Sequence, residues 1–123
     1  MQEYVVKVTR DGDKFWYQNG KLHREDGPAL EYANGSKAWY QNDMLHRLDG
    51  PAVEHGNGSK SWYQNGELHR LDGPAIECTN GDKMWYIDNV KLTEAEFSKR
   101  MNQKEMTVAE IATALGYEVK VVK

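Results

Sequence analysis

Aromatic, aliphatic and turn residues recur along this chain at one fixed interval. Residues 11–33 read DGDKFWYQNGKLHREDGPALEYA, residues 34–56 read NGSKAWYQNDMLHRLDGPAVEHG, and residues 57–79 read NGSKSWYQNGELHRLDGPAIECT. A fourth copy, 80–86, begins NGDKMWY and then departs. A 23-residue period of this kind specifies a repeat architecture before any other motif is weighed. Within each unit, Asn-Gly or an equivalent pair occurs twice, at Asn19-Gly20 and Asn34-Gly35 in the first copy, and such pairs are strong hairpin signals. The segments between them, K-x-W-Y-Q, L-H-R and P-A-Φ-E-x with Φ being Leu30, Val53 or Ile76, are each short enough for a strand of about five residues. Asp-Gly-Pro supplies the remaining bend, because proline lacks an N–H and suits a strand start. The expected fold is therefore mainly β: a single elongated, twisted antiparallel sheet of hairpin repeats over residues 11–86.

A two-residue loop at Asn34-Gly35 would set Leu30 opposite Trp39 and Glu31 opposite Ala38. A tight turn at Asn42-Asp43 would then bring Trp39 to His46 and Ala38 to Arg47. One face would carry the aliphatic, Trp and His rows, and the other Tyr40, Leu45 and a Glu31–small–Arg47 row. Trp39 and Trp62, flanked by complete repeats, are the tryptophans expected to be buried.

The spacing N-G-K-x-H-x-x-x-G-x(6)-N-G-S resembles the MORN repeat, whose members form stacked β-hairpins and act mainly as interaction and scaffolding modules. The chain departs from that pattern at His23-Arg24-Glu25-Asp26-Gly27-Pro28 and at Trp39-Tyr40-Gln41. In these departures it is more similar to the W-Y-x-N-G-x-L-H-R-x-D-G-P-A repeat proteins of large tailed bacteriophages and giant viruses. That resemblance implies a viral source and a MORN-like fold, without an activity.

The ends differ from the repeats. Residues 1–10 place Tyr4, Val6 and Val8 in alternation, which predicts a strand capping the first repeat's open edge. Residues 87–123 predict a small α(+β) cap. Thr93-Glu94-Ala95-Glu96 is a capping box with Leu92 and Phe97 as its hydrophobic staple, and the same grammar recurs at Thr107-Val108-Ala109-Glu110, followed by a strand from Tyr117 to Val122. A helix-turn-helix reading of the tail is the disfavoured alternative, because the β-branched run Glu118–Val122 stands where a recognition helix should follow and the net charge is acidic.

Composition narrows the chemistry. Sixteen Lys and Arg against nineteen Asp and Glu give a net charge of -3 without a basic run, so no nucleic-acid partner is expected. Cys78 is alone, which excludes an intrachain disulfide, and no segment reads as a signal peptide or membrane span, which points to a cytoplasmic protein. No catalytic constellation emerges: the serines lie in turns, a strand slot and a helix segment, and every glycine belongs to a turn. Matching histidines two strands apart would be separated by about 10 Å, too far to share one metal ion. Neither an enzyme nor a cofactor or metal is expected.

What remains is surface. The candidate interaction residues are Trp39, Tyr40, His46, Arg47, His55, Trp62, Tyr63, His69 and Arg70. They suggest a protein-interaction module, phage-encoded, that binds and modulates or inhibits a host protein in the host cytoplasm, with homodimerisation as a further option. The alternative is a nucleotide-sequestering protein using the repeat Arg and His with an aromatic stack. A structural or membrane-surface scaffold is a weaker alternative, disfavoured by the acidic balance. Because repetition itself is evidence of architecture, function is expected where copies differ: Phe15, Ala38, Ser61 and Met84 before each Trp, Tyr32, His55 and Cys78 before each turn, and the unrepeated tail.

Overall fold

The computed structural model describes residues 3–102. The first copy and the strand before it comprise β1 (Val5–Val8), β2 (Lys14–Gln18), β3 (Lys21–Leu22) and β4 (Leu30–Glu31). The second contributes β5 (Lys37–Ala38), β6 (Tyr40–Gln41), β7 (Met44–Leu45) and β8 (Val53–Glu54). The third contributes β9 (Lys60–Ser61), β10 (Tyr63–Gln64), β11 (Glu67–Leu68) and β12 (Ile76–Glu77), and the fourth β13 (Lys83–Ile87) and β14 (Val90–Leu92). The protein is mainly β, with one large antiparallel sheet in the order β1-β2-β4-β5-β8-β9-β12-β13-β14.

The chain divides into two units, Met1–Lys91 and Leu92–Lys123. In the second, a helix begins at residue 94, and its capping box is formed: Glu96 N–H donates to Thr93 Oγ1 (3.0 Å) and Thr93 N–H to Glu96 Oε1 (2.8 Å). The second predicted capping box at Thr107 and the predicted strand Tyr117–Val122 lie outside the described residues.

Each Trp strand serves two ladders in turn. Its first half pairs with the Φ-E strands, Ala38 standing between Leu30 and Val53, and Ser61 between Val53 and Ile76. Its second half turns into a tight hairpin, Tyr40 opposite Leu45 and Tyr63 opposite Leu68. Trp marks the crossing: Trp39 N–H donates to Ala52 O (2.7 Å), while its carbonyl accepts from His46 N–H (2.9 Å). Neighbouring hairpins are joined in turn, Arg47 N–H donating to Tyr63 O (3.1 Å) and Gly66 N–H to Leu45 O (2.8 Å). The expected Trp39–His46 pairing is thus present.

The other expected pairing is not. Leu30 faces Ala38 and Glu31 faces Lys37, one residue away from the two-residue-loop register. The loop holds three residues, 33–35, closed by Gly35 N–H to Tyr32 O (3.0 Å) and Tyr32 N–H to Ser36 O (2.8 Å), with Gly35 at φ +95°. That is a type I turn followed by a left-handed bulge residue. Asn34 favours it because its Oδ1 accepts Ser36 N–H at 2.9 Å, closing an Asx turn. A one-residue slip moves every side chain to the other side of the ladder. Alternation therefore groups Phe15, Leu30, Ala38, Val53, Ser61 and Ile76 with the Tyr and Leu rows, and Trp39 and Trp62 with Lys37, Glu54 and the histidines. No Glu31–small–Arg47 row exists; Lys14, Glu31, Lys37, Glu54, Lys60, Glu77 and Lys83 instead form a row of alternating charge.

The first strand does cap the edge. β1 pairs with β2 along its whole length, from Val5 with Tyr17 to Val8 with Lys14, so it covers the edge of both ladders. In later repeats the place beside Tyr is held by the preceding repeat's arginine backbone, as where Arg24 N–H meets Tyr40 O. β1 itself stays exposed on both sides.

The hairpin turns carry a further tie. Asp43 Oδ1 accepts Leu22 N–H (2.7 Å), and Asn89 Oδ1 accepts Leu68 N–H (3.1 Å), each reaching back one repeat. Gly66 occupies the same turn position at φ +82° and has no side chain to offer Leu45. Gly66→Asn is expected to raise stability by about 0.5–1 kcal/mol, since Asn tolerates the left-handed region and adds one hydrogen bond. The urea-unfolding midpoint checks it.

Candidate functional site

The H-R-x-D-G-P loops are the most densely bonded part of the repeat. In the second copy the Arg47 guanidinium carbon lies 3.8 Å from the centroid of the Trp39 ring. Its Nε donates to Asp49 Oδ1 (3.0 Å), and its Nη1 to Pro51 O (3.0 Å) and Glu54 Oε2 (3.3 Å). Arg24 repeats this clasp over Trp16 at 4.0 Å and Arg70 over Trp62 at 3.8 Å. Arg24 bonds Asp26, Pro28 O and Glu31, and Arg70 bonds Asp72, Pro74 O and Glu77. The planar fork of arginine satisfies this set, whereas a lysine ammonium has neither the plane to stack nor the spread of donors.

The neighbouring glycine follows sterically. A Cβ on Gly50 would stand 2.9 Å from Arg47 Cζ, and one on Gly73 would stand 2.8 Å from Arg70 Cζ. The guanidinium therefore lies between an indole ring and bare backbone. Next come Ala29, Ala52 and Ala75, each with 0% of its surface exposed, the most enclosed side chains of the repeats. The tryptophans are half-buried, which corrects the expectation for Trp39 and Trp62. A sheet this thin leaves the guanidinium to cover one ring face.

Each repeat histidine is also tied to the next unit. Its Nδ1 accepts a backbone N–H from the following hairpin turn: Asn42 to His23 (3.1 Å), Asn65 to His46 (3.0 Å) and Asp88 to His69 (3.0 Å). A backbone N–H can only donate, so the partners assign the neutral Nε2–H tautomer. His23 Nε2 then donates to Glu25 Oε2 at 2.6 Å. Asp88 Oδ1 also lies 3.2 Å from His69 Nδ1, but Nδ1 accepts the Asp88 amide N–H and, carrying no proton, has none to donate to that carboxylate.

Between the loops run two grooves. The first, about 680 Å³, lies between loops 23–28 and 46–51, with Trp39, Gln41 and His46 in its lining. The second, about 460 Å³, lies between loops 46–51 and 69–74, with Trp62, Gln64 and His69. Leu48 borders both, and it is 74% exposed. No family model, curated protein or solved structure matches this chain. What the grooves can hold follows from their lining alone.

Of the residues singled out by sequence, Trp39, His46 and Arg47 meet in the first groove, and Arg47, Trp62, His69 and Arg70 in the second. Tyr40 and Tyr63 alternate to the other side of the strand, opposite Leu45 and Leu68. His55 is exposed beside a three-residue loop and lines neither groove. Among the variable positions, Ala38 is buried, and Tyr32 meets Phe15 edge-on at 6.3 Å, which are packing roles. Sequence reasoning missed the slot x, which is Glu25, Leu48 and Leu71. Its signal was an apolar residue varying inside an otherwise repeated polar loop. Among the described residues, no three His, Cys, Asp or Glu converge on a point that could hold a metal ion, and no helix is long and apolar enough to cross a membrane.

Among the described residues, Tyr40 is a titratable group whose environment alters its proton affinity. Burial raises its pKa above the ordinary 10.0, and Tyr32, Asp43 and Tyr63 add repulsion against the phenolate. Because the unfolded chain releases this proton first, the associated stability is complete below pH 10.0 and is lost as pH rises through the folded value. Tyr40→Phe is expected to remove that part of the alkaline loss, as read from unfolding midpoints between neutral and strongly alkaline pH.

Proposed function

We propose that the chain is a non-enzymatic protein-binding module whose interface is the row of H-R-x-D-G-P loops and the two grooves between them. The observation that carries this is the contrast within one loop. Arg47, Asp49, Gly50 and Ala52 are committed to holding the repeat, while Leu48 between them stands 74% exposed and Leu71 40% exposed. An exposed leucine beside a half-buried indole offers the apolar anchor and aromatic floor on which interface hot spots are built. The likeness to repeats of bacteriophages and giant viruses favours a host protein as partner, bound and modulated in the host cytoplasm.

Nucleotide sequestration finds less support. A phosphate approaching Arg47 would have to displace Asp49 or Glu54 and open the stack on Trp39. Affinity capture from a bacterial lysate tests the proposal. A stoichiometric protein partner should be retained by the wild type and lost by Leu48→Ser with Leu71→Ser. Absence of such a partner, or its retention by the variant, would refute the reading.

A further inference from the structure

The three copies of the loop differ in how the histidine Nε2–H is satisfied. In the first, Glu25 stands two residues after His23, and its carboxylate takes that proton at 2.6 Å. In the second and third, leucine replaces glutamate, so Leu48 and Leu71 follow His46 and His69. The other ring nitrogen keeps its bond in all three, which holds each imidazole in the same tautomer. His46 and His69, which line the two grooves, thus carry an Nε2–H with no acceptor among the described residues. The molecule itself shows what fits there, because in the first loop the Glu25 carboxylate accepts from the same histidine nitrogen.

We infer that the two grooves each receive a carboxylate side chain, Asp or Glu, from the partner protein, held by Nε2–H of His46 and of His69 as Glu25 is held by His23. In the second groove Arg47 and Arg70 balance Asp49 and Asp72, so an incoming anion meets no net repulsion from the lining; in the first, Arg24 and Arg47 face Glu25, Asp26 and Asp49, one carboxylate more, so the His46 groove should take the acid more weakly than the His69 groove. Leu48 and Leu71, standing where the first loop has its carboxylate, add apolar contact to the partner's chain on either side of the acid. The two imidazoles sit one repeat apart, so the partner presents two acidic residues at that spacing on one surface. This inference rests on the loop face being the protein interface, and it names the chemistry that face recognises.

Long-range nitrogen-proton NMR of the imidazoles tests it on the full chain, with N-acetylglutamic acid α-amide as the probe and its glutamine counterpart as the uncharged control. The Nε2 and Hε1 resonances of His46 and His69 are expected to move saturably with the acid, several-fold further than those of His23, and to ignore the amide. Leu48→Glu should silence His46 and leave His69 responsive. Glu25→Leu should bring His23 into the response. Shifts at His46 and His69 no larger than at His23, or a His23 that stays inert in Glu25→Leu, would overturn the inference. If partner capture still depends on the two leucines while the imidazoles ignore the acid, only the carboxylate assignment falls. If the imidazoles respond but capture does not depend on the leucines, it is the protein-interface reading that falls.

Discussion

Arg47→Ala is expected to destabilise the protein by about 2–4 kcal/mol, the largest effect of any single side-chain removal on the loop face. The substitution removes the cation over Trp39, uncovers that ring, and leaves Pro51 O, Asp49 and Glu54 without their common donor. The Glu54 contact alone is a minor part, because that carboxylate is 36% exposed and such pairs contribute about 0–1 kcal/mol. Most of the effect comes from the stack and from the hydrogen bond to the proline carbonyl, which together pin the Asp-Gly-Pro bend onto its own Trp strand. Arg47→Lys should recover little of it, since an ammonium cannot stack flat and bond in three directions at once. Urea unfolding measures both variants, and a loss below about 0.5 kcal/mol for Arg47→Ala would place it among ordinary surface substitutions.

The second large effect is expected at Ala52. Its side chain has no exposed surface, and its carbonyl takes the Trp39 N–H at 2.7 Å, where the Trp strand passes from one ladder to the other. A larger side chain there must push strand and loop apart, so Ala52→Leu is expected to cost about 1–3 kcal/mol. Leu48→Ala, four residues earlier on the same loop, should change stability by no more than about 0.5 kcal/mol because Leu48 is 74% exposed. Thermal and urea unfolding of the two variants side by side checks the contrast. Equal losses would mean that Leu48 belongs to the core and not to an interface.

Much of this architecture can be read from the repeat, and the exceptions have local causes. The tight hairpin at Asn42-Asp43 places both residues at positive φ, 50° and 70°, as a two-residue turn requires, and the Trp39–His46 pairing follows from it. Asn34-Gly35 carries the same dipeptide signal. There the asparagine side chain accepts the backbone N–H of residue 36 and closes an Asx turn, with Ala33 drawn into the loop and the register shifted by one, and Asn80 does the same with the backbone N–H of Asp82. One dipeptide signal thus serves two loop lengths, two residues at Asn42-Asp43 and three at 33–35, and the dipeptide alone does not set the register. The fate of the arginines is another such case. Pairing within a flat sheet suggested Arg47 reaching Glu31, but the Asp-Gly-Pro bend folds Arg47 back onto Trp39 and Glu54 of its own copy. Slot x is not legible for a different reason: its part in the loop depends on the contact between Glu25 and His23 Nε2, which sequence spacing does not show.

On the proposed function, the recurring histidines and arginines join the repeats and binding falls to what they leave exposed. The tautomeric states of the histidines in the unliganded protein test it most directly, because the repeat bond to Nδ1 and the open Nε2–H are two sides of one assignment. Nitrogen-15 spectra of the imidazoles should show His23, His46 and His69 neutral, with an unprotonated Nδ1 accepting a hydrogen bond and a proton on Nε2, and His55 different from all three. A proton on Nδ1 of His46 or His69, or ring signals averaged like those of exposed His55, would contradict the account.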